Sequence, residues 1–72
     1  MHRYYLEFTL IAKSIPIDNL RNSIIEFGRD LEISQGEGEF NIRIDTEDPT
    51  IIFDTCAQFG RIKSVKVEER PV

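Results

Sequence analysis

The sequence has one cysteine, Cys56, one histidine, His2, one methionine and no tryptophan among its 72 residues. A lone cysteine excludes an internal disulfide and fits a reducing compartment. Zinc sites of the usual kind need more Cys and His than one of each, and no other cofactor is implied. With His2 as the only histidine, next to the chain end, nucleophilic Ser–His and Cys–His pairs lack a base, so no enzyme activity is expected. No apolar run is long enough to cross a bilayer, and no basic-then-apolar leader is present, which gives a cytoplasmic reading with no membrane partner. Positive charge is the minority: nine Lys+Arg stand against thirteen Asp+Glu, a net charge of −4. Such a chain repels phosphate on average, which disfavours nucleic acid unless a local basic patch supplies the contact. No linker, low-complexity tract or charge block divides residues 1–72, so one domain is expected. It is small enough that a partner or second copy is expected to add stability.

What is present is periodic. Residues 3–12, RYYLEFTLIA, put Tyr4, Leu6, Phe8, Leu10 and Ala12 on one face and Tyr5, Glu7, Thr9 and Ile11 on the other. That is period two, a half-buried strand. In KSIPIDNLRNSIIEFG, Ile17, Leu20, Ile24 and Phe27 recur at helical steps. Pro16 is expected in that helix's first turn, with Ser14 or Ile15 as cap. Leu31 and Ile33 open a second strand, and Gln35-Gly36-Glu37-Gly38 supplies turn residues. Phe40, Ile42 and Ile44 then alternate with Glu39, Asn41, Arg43 and Asp45, which reads as a hairpin. Asp48-Pro49 starts a second helix striped by Ile52, Phe53, Cys56 and Phe59. A last strand is expected over 61–69, with Val65 and Val67 facing inward.

An offset of thirty-two residues lays the first half on the second: Phe8 on Phe40, Leu10 on Ile42, Leu20 on Ile52, Ile24 on Cys56, Phe27 on Phe59 and Ile33 on Val65. The tripeptide Phe-Gly-Arg occurs at both equivalent places, 27–29 and 59–61. Its expected role is punctuation. Phe closes the apolar stripe, Gly28 or Gly60 turns left-handed to end the helix, and Arg29 or Arg61 lies by the carbonyl-rich terminus. Two interleaved split βαβ units give the expected fold class: α+β, a ferredoxin-like βαββαβ sandwich with a four-stranded antiparallel sheet and two helices on one face. A swapped or otherwise rearranged pairing of the same elements is the alternative.

Two stretches add a resemblance at the level of this superfold. DPTIIFDTCAQFGRIKSVKV resembles the first helix and second strand of RNA-recognition-motif domains, where an FG-x-I-x-S-V-x-V run is common. That resemblance implies bases stacked on the open face of the central strands. Here those strands are the first and third, and Tyr5 is the aromatic residue they offer. IPIDNLRNSIIEFGRDLEIS is similar in pattern to the first helix and second strand of ACT-like regulatory domains. That likeness implies a small-molecule sensor at the first strand–helix loop, or a domain that only dimerises. Ile17 stands where those domains commonly place glycine. A metal-carrying version of the fold would need C-x-x-C near the first loop, which this chain lacks.

The remaining candidates have ordinary structural explanations. Cys56 falls on the apolar side of its helix and reads as core. Asp45, Glu47 and Asp48 crowd one loop without the spacing of a calcium loop, and Asp48 is committed as a cap. Gly36-Glu37-Gly38 sits in a hairpin, where no helix amides point at a phosphate. Glu7, Arg43 and Lys66 read as a cross-strand charge set. The open face mixes Tyr5, Ile11 and Ile62 with charge, as a packing surface can. The leading expectation is therefore a non-catalytic binding or regulatory domain. It acts through protein–protein contact and self-associates by the open face or an edge, with Tyr5, Ile11, Arg43 and Lys66 as contact residues. The alternatives are an RNA- or DNA-associated protein using Tyr5, Arg43, Lys63 and Lys66, and an ACT-like sensor.

Overall fold

A computed structural model describes residues 2–71 of the chain. Strand β1 runs His2–Ile11, helix α1 Ile17–Ile24 with a 3₁₀ turn at Ile25–Phe27, strand β2 Arg29–Gln35, strand β3 Glu39–Thr46, helix α2 Pro49–Ala57 and strand β4 Arg61–Pro71. The result is a small α+β domain whose four strands form one antiparallel sheet in the order β2-β3-β1-β4. The central strands are β1 and β3, so Leu6, Phe8 and Leu10 lie opposite Ile44, Ile42 and Phe40. These six pack with Leu20 and Ile24 of α1 and Ile52 and Cys56 of α2 into one core, so both helices cover the same face. Phe53 adds an edge-on ring contact to Phe8 at 5.2 Å between centroids.

Local chemistry sets the element ends. Asp48 Oδ1 accepts from the Thr50 amide at 3.0 Å and the Ile51 amide at 3.4 Å, capping α2 just before Pro49. Thr46, fully buried, donates to the Phe27 carbonyl at 2.7 Å and accepts from the Asp48 amide at 3.1 Å. One hydroxyl thus ties the turn before β2 to the start of α2. Pro16 is not inside α1. It is the cap residue itself, extended and with no side-chain hydrogen bond, and its carbonyl accepts from the Asn19 amide.

The repeated glycines act differently from the left-handed caps that their position suggests. Gly28 is extended (φ −168°, ψ −170°), and Gly38 is the glycine found with positive φ. The requirement is close approach. A Cβ on Gly28 would overlap the Asp45 carbonyl oxygen and come within 2.7 Å of the Ile44 side chain. A Cβ on Gly60 would overlap the Ile11 carbonyl oxygen and meet Ala12 Cβ at 3.0 Å. Ala12 and Ile44 are equivalent under the thirty-two-residue offset, so each half's glycine lets its chain cross the other half's strand. Arg29 and Arg61 are the first residues of β2 and β4 and pair with Asp45 and Ile11.

Both edge strands are irregular. Register shifts between Arg29 and Glu32 in β2, and opposite Glu7–Thr9 in β4, coincide with left-handed residues Asp30 (φ 53°) and Ser64 (φ 57°). Such bulges twist an edge and discourage indiscriminate pairing.

The inward valines of β4 are the main departure from the alternation pattern. Val67 lies opposite Leu6, on the core side, yet Val65 is 50% and Val67 49% exposed. Length explains this. At about 3.3 Å per residue β4 extends roughly 36 Å, whereas α2 at 1.5 Å per residue is only about 13 Å long. The helix layer ends before the strand does. Ile62 is also relocated: it pairs with Leu10 and packs against the core, so it is not part of the open face.

Candidate functional site

The face of the sheet away from the helices carries the residues singled out by the sequence. Across β1 and β3 the pairs are Tyr5 with Asp45, Glu7 with Arg43, Thr9 with Asn41 and Ile11 with Glu39. On the β4 side, Tyr5 faces Glu68, Glu7 faces Lys66 and Thr9 faces Lys63. Tyr5, Arg43, Lys63 and Lys66 therefore do share one surface, and Ile11 lies half-buried at its end.

Most of these groups are already engaged within the chain. The guanidinium of Arg70 lies 4.7 Å from the Tyr5 ring centroid, and its Nη1 is 3.6 Å from Asp45 Oδ1. That carboxylate oxygen is buried without a hydrogen-bond donor, so the Arg70 charge is its compensation. A stacking cation on one face of Tyr5 occupies part of what a nucleobase would use. Arg43 is held between Glu7 at 3.7 Å and Glu32 at 3.9 Å. These are loose surface pairs, each worth about 0–1 kcal/mol, but they place two carboxylates where a phosphate would have to sit. Thr9 Oγ1 donates to Asn41 Oδ1 at 2.9 Å. Between them runs a polar groove of about 310 Å³ that reaches Glu32, Ser34 and Ser64.

A second hollow of about 420 Å³ lies at the start of α2 and includes Arg3, Gly28, Arg29, Glu47 and Asp48. Arg3 pairs with Glu47 at 3.7 Å, and Asp48 caps the helix amides there. Cys56 is fully buried on α2, and burial pushes its thiol up to about 11, so it is a protonated core side chain at neutral pH.

Several charges of β4 are left without a counter-charge. Among the described residues, Lys63, Lys66 and Glu68 make no ion pair. Lys66 and Glu68 are exposed and flank the half-exposed Val67 on the free edge of the sheet. Comparison with protein-family models and with curated protein sequences returns no significant match for this chain. Its own geometry is therefore the guide.

That geometry draws attention to residues the sequence reading passed over. Val65, Val67 and Glu68 were legible only as part of a strand over 61–69 with the valines inward, and Arg70 lay beyond that expected strand. The available signal was the run KSVKVEER, in which small apolar residues alternate with opposite charges over the last strand of a sheet.

Proposed function

We propose that this chain is a small non-catalytic binding or regulatory domain that works through protein–protein contact and self-associates through the β4 edge. The observation that carries this reading is the edge itself. β4 is an eleven-residue strand at the border of the sheet, with two half-exposed valines and with Lys66 and Glu68 left without ion pairs. An unpaired strand edge is a template for another strand, and exposed apolar residues on it supply the burial. The open face contributes less than its composition suggests, because Tyr5 and Arg43 are engaged within the chain. Lys66, at the junction of face and edge, is the contact residue best placed.

A ferredoxin-like assignment belongs with this reading. Counted from the other border, the strand order is β4-β1-β3-β2. β3 lies between the strands of the β1–α1–β2 unit, and β1 lies between those of the β3–α2–β4 unit. Antiparallel pairing on both sides of β3 makes β1 and β2 parallel, as a split βαβ unit requires.

Sedimentation equilibrium over a concentration series at low salt tests the proposal. The average mass is expected to rise from monomer toward dimer. A monomer mass at every concentration up to about 1 mM, the range where small contacts assemble, overturns it.

A further inference from the structure

Resting on that reading, the structure assigns a register to the contact: a second copy of this chain pairs antiparallel along the free edge of β4, with Val67 of both copies on the two-fold axis. β4 keeps regular register with β1 from Lys66 to Pro71, and the bulge at Ser64 and the amide-less Pro71 confine new pairing on its other side to 65–70. Within that stretch the charges choose the centre. With Val67 opposite Val67, Lys66 of each copy faces Glu68 of the other, and symmetry makes this pair twice. Moving the axis to Lys66 sets lysine against lysine. Moving it to Glu68 sets Glu68 against Glu68 and Lys66 against Arg70. Registers displaced by one residue would oppose a residue whose N–H and C=O point out of the edge to one whose groups point inward, so they cannot form an antiparallel ladder between two copies of the same edge.

The Val67-centred register also accounts for two features of β4. Each Val67, half-exposed on the helix side in one copy, is covered by its mate. Lys66 and Glu68, each without an ion pair in the single chain, acquire one. The two sheets become one of eight strands with all helices on one side. The closed two-fold contact uses up the β4 edges and leaves the bulged β2 edges outside.

Two charge reversals read the register directly. Lys66→Glu makes positions 66 and 68 both acidic, and Glu68→Lys makes both basic. Each variant alone is expected to self-associate about tenfold more weakly than the parent at low salt, because two attractive pairs become repulsive. Mixed one to one they are expected to form a heterodimer, acid facing base at both positions, and sedimentation of the mixture against each component detects it. An unfolded variant cannot give that rescue. Independently, Val67→Cys is expected to oxidise to an interchain disulfide, since directly opposed antiparallel residues have Cα atoms about 4.5–5.5 Å apart. Cys56, fully buried, does not compete. A dimer that survives both reversals and gives no Val67→Cys cross-link overturns the register while leaving self-association standing. A monomer throughout overturns both, and open-ended polymer overturns the closed β4 pairing in favour of β4 on β2.

Discussion

Replacing Gly60 with alanine probes the packing account of this fold at its tightest point. The added methyl would overlap the Ile11 carbonyl oxygen and press on Ala12 Cβ at 3.0 Å. Ile11 cannot retreat easily. It lies in β1, a central strand, and is in register with Glu39 on one side and Arg61 on the other. Relief must come from a shift of the α2–β4 connection, so the cost belongs at the upper end of the overpacking range, about 3 kcal/mol. A domain of this length has only about 4–11 kcal/mol in total. The melting temperature should fall by roughly 10–20 °C, and the urea midpoint should drop with its slope unchanged. Two controls isolate the cause. Gly38, left-handed at φ +71° with nothing near its added Cβ, should lose only about 1 kcal/mol as alanine. Gly60→Asn separates close approach from a left-handed cap: a cap tolerates asparagine, whereas an occluded Cβ makes it as harmful as alanine. A Gly60→Ala variant within 0.5 kcal/mol of the parent, or a benign Gly60→Asn, refutes the reasoning.

Other outcomes follow from single contacts. Asp48→Ala removes the acceptor for two α2 amides and should cost about 1 kcal/mol by denaturant titration, while Asp48→Asn should cost a few tenths. Ile52→Ala, at a site with no solvent exposure, should cost about 2–5 kcal/mol and leave little folded protein at 37 °C. Burial raises the Cys56 thiol from 9.0 to about 11, so the folded state holds a proton that the unfolded state releases. Stability from this group is therefore intact below pH 9 and falls as pH rises from 9 to 11. The loss should be on the order of 2–3 kcal/mol by pH 11, and Cys56→Ala should flatten that slope in pH-dependent melting. Arg70→Ala strips the counter-charge from the buried Asp45 oxygen and the cation from Tyr5, and about 1–2 kcal/mol of lost stability is expected. Adding Asp45→Asn to that variant should recover part of the loss, and no recovery would count against the pairing.

Much of the architecture was legible because it rests on local periodicity. Leu6, Phe8, Leu10 against Phe40, Ile42, Ile44 is a two-residue repeat that survives intact as the sheet's buried face. Asp48-Pro49 specifies a helix start through its own side chain and ring, with no help from distant residues. The features that escaped depend on neighbours far along the chain. Gly60 is constrained by Ile11, forty-nine positions away, and nothing in QFGR distinguishes close approach from a left-handed turn. Pro16 and its neighbours leave the first residue of α1 ambiguous by one or two places, the usual uncertainty at helix ends. Val65 and Val67 carry the pattern of buried strand residues, but their exposure is set by where the helices stop. Ser64 breaks the alternation, and the bulge there re-registers the strand on Glu7. On the candidate surface, charge type was visible in the sequence and charge partnership was not. Arg43 and Tyr5 look available until Glu32 and Arg70 are brought to them from separate strands.

Amide hydrogen exchange followed residue by residue at low and high protein concentration tests the central claim most directly. The outward-pointing amides within 65–70 of β4 should slow as concentration rises, while the free amides of β2 exchange at an unchanged rate. If the β4 amides exchange at the same rate at every concentration, the edge is not where this protein meets its partner copy.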